Sequence, residues 1–112
     1  MDEIYLKHVI DHSREAGGRL VLVGDLTEAT IAQLTEKLDA VGARPHIADT
    51  SGIRFADAAA IAALSRWVRR SGMTALRMVN APRQLVALIG RYGLDTTLPA
   101  AVAPPHRNLL AA

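Results

Sequence analysis

The 112-residue sequence contains no cysteine. That excludes a disulfide framework, a cysteine nucleophile and any thiolate zinc site, and it suits a reducing compartment. Aromatic residues are nearly as scarce, with one tryptophan, one phenylalanine and two tyrosines. So few stacking surfaces, with no recognisable binding motif, argue against a nucleic-acid partner. No apolar run approaches the roughly 20 residues of a membrane-spanning helix. The first residues, Met1, Asp2 and Glu3, are acidic where a secretory signal would be basic. The expected location is the cytoplasm, without membrane insertion. There is no glycine-rich phosphate loop, and no Ser, His and Asp set falls on strand ends as nucleophilic catalysis would require. Of the histidines, His8 and His12 would share a face only on a helix, and His46 and His106 lie far along the chain. No metal, cofactor or enzymatic activity is expected.

What remains is ordinary for one globular domain: 50% hydrophobic residues and 21% charged. A chain of this length buries roughly 60 to 70% of its unfolded surface, enough for a core without staples. The net charge of +2 hides a shortage of acid in one half. Residues 1 to 57 hold ten acidic and six basic side chains, whereas residues 58 to 112 hold seven basic ones and a single acid, Asp95. Such asymmetry raises nucleic acid or an acidic partner surface. Arginines at helix ends and on solvated faces account for much of it.

Ile4, Leu6, His8 and Ile10 alternate with Tyr5, Lys7 and Val9, a strand period. After the polar stretch Asp11 to Ala16 and the Gly17-Gly18 turn, the apolar run Leu20 to Val23 has strand length. Ile31, Leu34, Leu38 and Val41 recur at helical spacing, with Thr27 placed to cap and Gly42 to stop the helix. A brief strand at His46, Ile47 and Ala48 runs into Asp49-Thr50-Ser51-Gly52. Asp57 then caps a second helix whose stripe is Ile61, Leu64, Trp67 and Val68, with Arg69 and Arg70 in its last turn. Trp67 belongs with this core stripe. Ala75 to Val79 reads as a strand. Asn80 and Pro82 open a third helix with Leu85, Leu88, Ile89 and Tyr92 on its inner face, and a last short strand falls within Thr96 to Val102. Residues 1–102 are thus one domain and residues 103–112, with Pro104-Pro105, a loose tail. The order β-β-α-β-α-β-α-β implies an α/β fold: a small mixed sheet with helices packed on it and parallel strands joined by crossover helices.

Four stretches, taken together, resemble the STAS domain shared by sulfate transporters and anti-sigma factor antagonists. Gly24-Asp25-Leu26-Thr27 with Thr30 is similar to the family's Gly-Glu-Leu-Asp-x-x-Thr. Ile47 to Ile53 is similar to its segment of strand, Asp, Leu, Ser, Gly and Val. Phe55-Ala56-Asp57-Ala58-Ala59-Ala60-Ile61 falls on its Asp-Ser-Ser-Gly-Leu pattern, and Asn80 to Gly93-Leu94 resembles its final helix. The resemblance spans about residues 4 to 100.

In the family's antagonists a partner that is both kinase and anti-sigma factor phosphorylates the serine before the pattern's glycine, and the phosphate releases that partner. Here that serine position is Ala59, the preceding serine is Ala58 and the glycine is Ala60. Alanine has no hydroxyl, so the family's phosphoswitch is absent. Thr27 stands where the family has an aspartate implicated in partner contact, a second departure. Asp57 survives, although a helix cap explains it without a functional role. The resemblance therefore implies a non-catalytic, anti-sigma factor antagonist-like regulator that docks a protein partner through Asp25, Thr27, Asp57, Ala58, Ala59, Ala60 and Ile61. The partner would be an anti-sigma factor, a serine kinase-like protein or another regulator, and a homodimer is open. The alternative is an accessory STAS subunit of a lipid-transporter ATPase complex. A third reading is small-molecule or nucleotide sensing at the same helix start. Thr50, Ser51, Thr27 and Thr30 are the nearby hydroxyls that a kinase could use instead.

Overall fold

The structure is a computed structural model describing residues 3–11 and 18–102. Its elements follow the expected order: β1 (Leu6–Asp11), β2 (Arg19–Leu26), α1 (Glu28–Val41), β3 (Ile47–Ala56), α2 (Ala58–Arg70), β4 (Arg77–Ala81), α3 (Arg83–Arg91) and β5 (Ala100–Val102). The sheet runs β1-β2-β3-β4-β5, with β1 antiparallel to β2 and the other pairs parallel. Each crossover advances by one strand in the same direction. Because such crossovers are right-handed, the three helices share one face of the sheet. The burial pattern agrees: Leu20, Leu22, Ala48, Thr50 and Met78 are buried, whereas their neighbours Arg19, Val21, Val23, Ile47, Asp49, Ser51, Arg77 and Val79 are half-buried or exposed.

The core lies between the sheet and the helical stripes anticipated from periodicity. Ile31, Leu34 and Leu38 of α1, Ile61, Leu64, Trp67 and Val68 of α2, and Leu85 and Ile89 of α3 are all buried. α1 stops at Gly42, whose φ of 69° is left-handed. Its end is tied to α2 through Trp67, whose indole Nε1 donates to Asp39 Oδ1 at 3.0 Å. Arg44 pairs with the same carboxylate at 3.3 Å and lies over the tryptophan ring at 5.5 Å. Among the described residues no helix is long and apolar enough to cross a membrane.

Several boundaries differ from the sequence reading. β2, expected to close at Gly24 after Leu20 to Val23, runs on through Gly24 to Leu26 because it stays paired with β3. The brief strand at residues 46–48 is a ten-residue strand that runs through the supposed turn to Ala56. Tertiary pairing overrides the turn chemistry there. Thr50 is fully buried and donates to the Val79 carbonyl at 3.1 Å, and Ile53 pairs onward with Gly24 of β2. Gly52 marks a close approach between strands, since a Cβ there would stand 2.8 Å from Val23 Cγ2 and 3.0 Å from the Leu22 carbonyl. β4 begins at Arg77 and extends through Asn80, although Asn80 has a φ of 54°. Tyr92 is 54% exposed and not on the inner face of α3, because the helix ends at Arg91 and its period lapses there. The turn through residues 12–17 and the tail at 103–112 lie outside the described residues.

Candidate functional site

The ends of β2 and β3 deliver the starts of α1 and α2 side by side. The join is a backbone hydrogen bond, from the Asp57 N–H to the Leu26 carbonyl at 3.1 Å. Local chemistry then fixes both helix starts. Thr27 Oγ1 accepts from the Thr30 N–H at 3.1 Å, and Thr30 Oγ1 accepts from the Thr27 N–H at 2.9 Å, a reciprocal capping box. The Thr30 hydroxyl also donates to the Asp25 carbonyl at 2.7 Å. At α2, Asp57 Oδ1 accepts from the Ala60 N–H at 2.8 Å, the cap that sequence alone anticipated.

Asp25 is turned inward, with 5% of its surface exposed. Its carboxylate takes a two-pronged grip from Arg54, Nε to Oδ1 at 2.9 Å and Nη2 to Oδ2 at 3.0 Å, and accepts from the Tyr5 N–H at 3.2 Å. The Arg54 guanidinium lies over the Tyr5 ring at 4.7 Å. The Arg54 hydrogen bond holds the Asp25 carboxyl below its usual range, outweighing the opposing effect of burial. Asp25 thus ties β2, β3 and the segment before β1 together beneath the site.

The expected contact residues separate into two groups. Ala59 is exposed, and Thr27, Asp57 and Ala58 are half-buried, so these four form a small surface across the two helix starts. Ala60 and Ile61 have no exposed surface, and Asp25 is almost covered. These three support the surface from below and do not lie on it, because the capped first turn of α2 directs positions 60 and 61 into the sheet. Phe55, 52% exposed at the end of β3, is the surface residue that sequence reasoning passed over. An aromatic two residues ahead of a helix cap, in a chain with four aromatics, was the signal.

The nearby hydroxyls are also sorted by burial. Thr50 is fully covered and Thr30 is 6% exposed, which removes both from a kinase's reach in this structure. Thr27 is half-buried and engaged in its cap, and Ser51 is exposed on the sheet face away from the helices. Ser51 donates its N–H to Asp49 Oδ1 at 3.0 Å. Burial alone would raise the Asp49 carboxyl, but hydrogen bonds from Ser51 and Asn80 and the charge of Arg19 bring it below the usual range. Among the described residues no three His, Asp or Glu side chains gather as a metal would need.

No curated protein matches the chain in sequence. Among solved structures, the anti-sigma factor antagonist SpoIIAA in its unphosphorylated form is similar with a TM-score of 0.58 and 13% identity, over 86% of this chain and 89% of that one. At that identity the likeness is one of fold. A family model described as "Mlab, STAS domain" matches residues 10–103, from the end of β1 past β5. The chain therefore belongs to the STAS domain family.

Proposed function

We propose that this chain is a non-catalytic protein-binding module, anti-sigma factor antagonist-like, that docks a regulatory partner through the adjoining starts of α1 and α2 without a serine phosphoswitch. The observation that carries this reading is Ala59. It stands exposed in the first turn of α2, two residues after the Asp57 cap, at the position the family resemblance gives to the phosphorylated serine. A phosphate there would bring roughly two negative charges to the free N–H groups of a helix start and to any docked partner. With alanine, position 59 adds no charge to the surface, which corresponds to a fixed, binding-competent state.

Recovery of the partner by affinity purification from the native cell, followed by titration with the wild type and the Ala59→Glu variant, tests the reading. The expected result is an anti-sigma factor or serine kinase-like protein whose affinity falls about tenfold or more in the variant. Unchanged affinity would remove the α2 start as the docking site. A second reading is an accessory subunit of a lipid-transporter ATPase complex. It draws support from the matched family model, whose description carries the name Mlab beside STAS domain. Recovery of a transporter ATPase would favour it.

A further inference from the structure

β3 is longer than its neighbour. It pairs with β4 only at Ile47, Ala48 and Asp49, and from Gly52 to Ala56 it pairs only with β2. On the β4 side of that second half no strand stands among the described residues. What stands there is α3, set back from the strand, and between the two lies a cavity of about 380 Å³. Its floor and walls are Ile53, Phe55 and Ala56 from the strand and Leu85, Leu88 and Arg91 from the helix.

We infer that this groove is a strand-addition site for an extended segment of a protein partner, one that alternates apolar residues with Asp or Glu. Three features select this occupant. The wall is built from consecutive residues of a strand with no neighbour on that side among the described residues, and such an edge is a template for main-chain hydrogen bonding to an added strand. Apart from Arg54, Gln84 and Arg91 the lining is apolar, with Phe55 and Leu88 incompletely covered, so alternate side chains of an added strand find a surface to bury. The charge is of one sign: α3 contains Arg83 and Arg91, both exposed, and no acidic residue. Of the acids near the strand end, Asp57 is engaged as the cap of α2 and Asp25 already holds Arg54. A carboxylate on the incoming segment would meet Arg91 at the rim.

This site goes beyond the proposed docking surface, because its walls are the β3 edge and α3 and not the start of α2. Peptide display selected on the immobilised full chain tests it, followed by anisotropy titration of the most enriched peptide after synthesis and labelling. Expected are sequences alternating apolar and acidic residues over about four positions or more. Arg91→Glu and Phe55→Ala should each weaken that peptide about tenfold while unfolding stays cooperative, with only a modest drop in midpoint, because Arg91 closes the last turn of α3 and Phe55 is half exposed. Methylating alternate amides along one edge of the peptide should abolish binding. Ala59→Glu should leave it intact, which separates failure of this site from failure of the α2 surface. No enrichment, basic or helix-periodic sequences, insensitivity to Arg91→Glu, or saturation of the groove by dodecanoate in place of peptide would each overturn the assignment.

Discussion

Asp25 shows how a residue that reads as a contact can be a fastener. Its folded-state pKa lies below the unfolded value, so the stability it contributes is fully present above the ordinary carboxylate range. That contribution is lost as pH falls below about 4 and through the lowered folded-state value. Asp49 adds to the same acid-side loss. In the Asp25→Asn variant, denaturant midpoints measured between about pH 5 and 2 should therefore depend less steeply on pH than in the wild type, while stability at neutral pH falls. Gly24 sits beside this fastener with a φ of 125°, and a Cβ there would collide with the Tyr5 carbonyl. Gly24→Ala should destabilise by about 2 kcal/mol or more, measured by urea unfolding, because neither the backbone conformation nor the Tyr5 carbonyl can yield cheaply. The importance of Gly24 and Asp25 was suggested in the sequence by motif, but the inward turn of the carboxylate depended on Arg54, 29 residues away.

At the scale of elements, the two helix starts are where stability and binding can be pulled apart. Position 59 lies in the exposed first turn of α2, where a negative charge meets the positive end of the helix dipole. Ala59→Glu should therefore leave the fold unharmed, or raise its stability by a few tenths of a kcal/mol up to about 1, while weakening the partner. Loss of both together would mean misfolding rather than loss of a docking surface. Thermal unfolding run beside the binding titration separates the two. Caps were legible at this scale because they depend on residues within one turn: Thr27 and Asp57 both proved to be N-caps and Gly42 a left-handed stop. The length of β3 was not legible. The Asp, Thr, Ser and Gly that spell a turn locally are held in strand geometry by β2 and by Thr50's bond to the Val79 carbonyl.

For the molecule as a whole, the helix layer hangs on Trp67. It is 1% exposed, donates to Asp39 of α1 and lies under Arg44. Trp67→Ala should cost about 3–5 kcal/mol, a large share of the stability of a domain this size. Chemical denaturation followed by far-ultraviolet circular dichroism would measure it. In the wild type, the single tryptophan reports unfolding by its own fluorescence. The charge split also takes spatial form. Its acidic half includes α1 and its basic half includes α2 and α3, so the sign changes across a helix layer laid out in chain order over one face of the sheet. At the starts of α1 and α2 a partner meets Glu28 and the Asp57 cap, whereas Arg66, Arg69 and Arg70 of α2 lie toward that helix's far end. The two signs are thus separated along the helix layer, which favours one orientation of docking.

The sequence by itself determined the fold class, the order of elements, the buried stripes and the caps, because periodicity and capping act within a few residues of the chain. It also determined that position 59 carries no hydroxyl. The tertiary structure decided which residues of the motif face outward. Exposure depends on what packs above a residue: Asp25 met Arg54, Ala60 and Ile61 met the sheet, and the second half of β3 met no strand on its far side among the described residues. Those are contacts between distant segments, and only the folded chain brings them together.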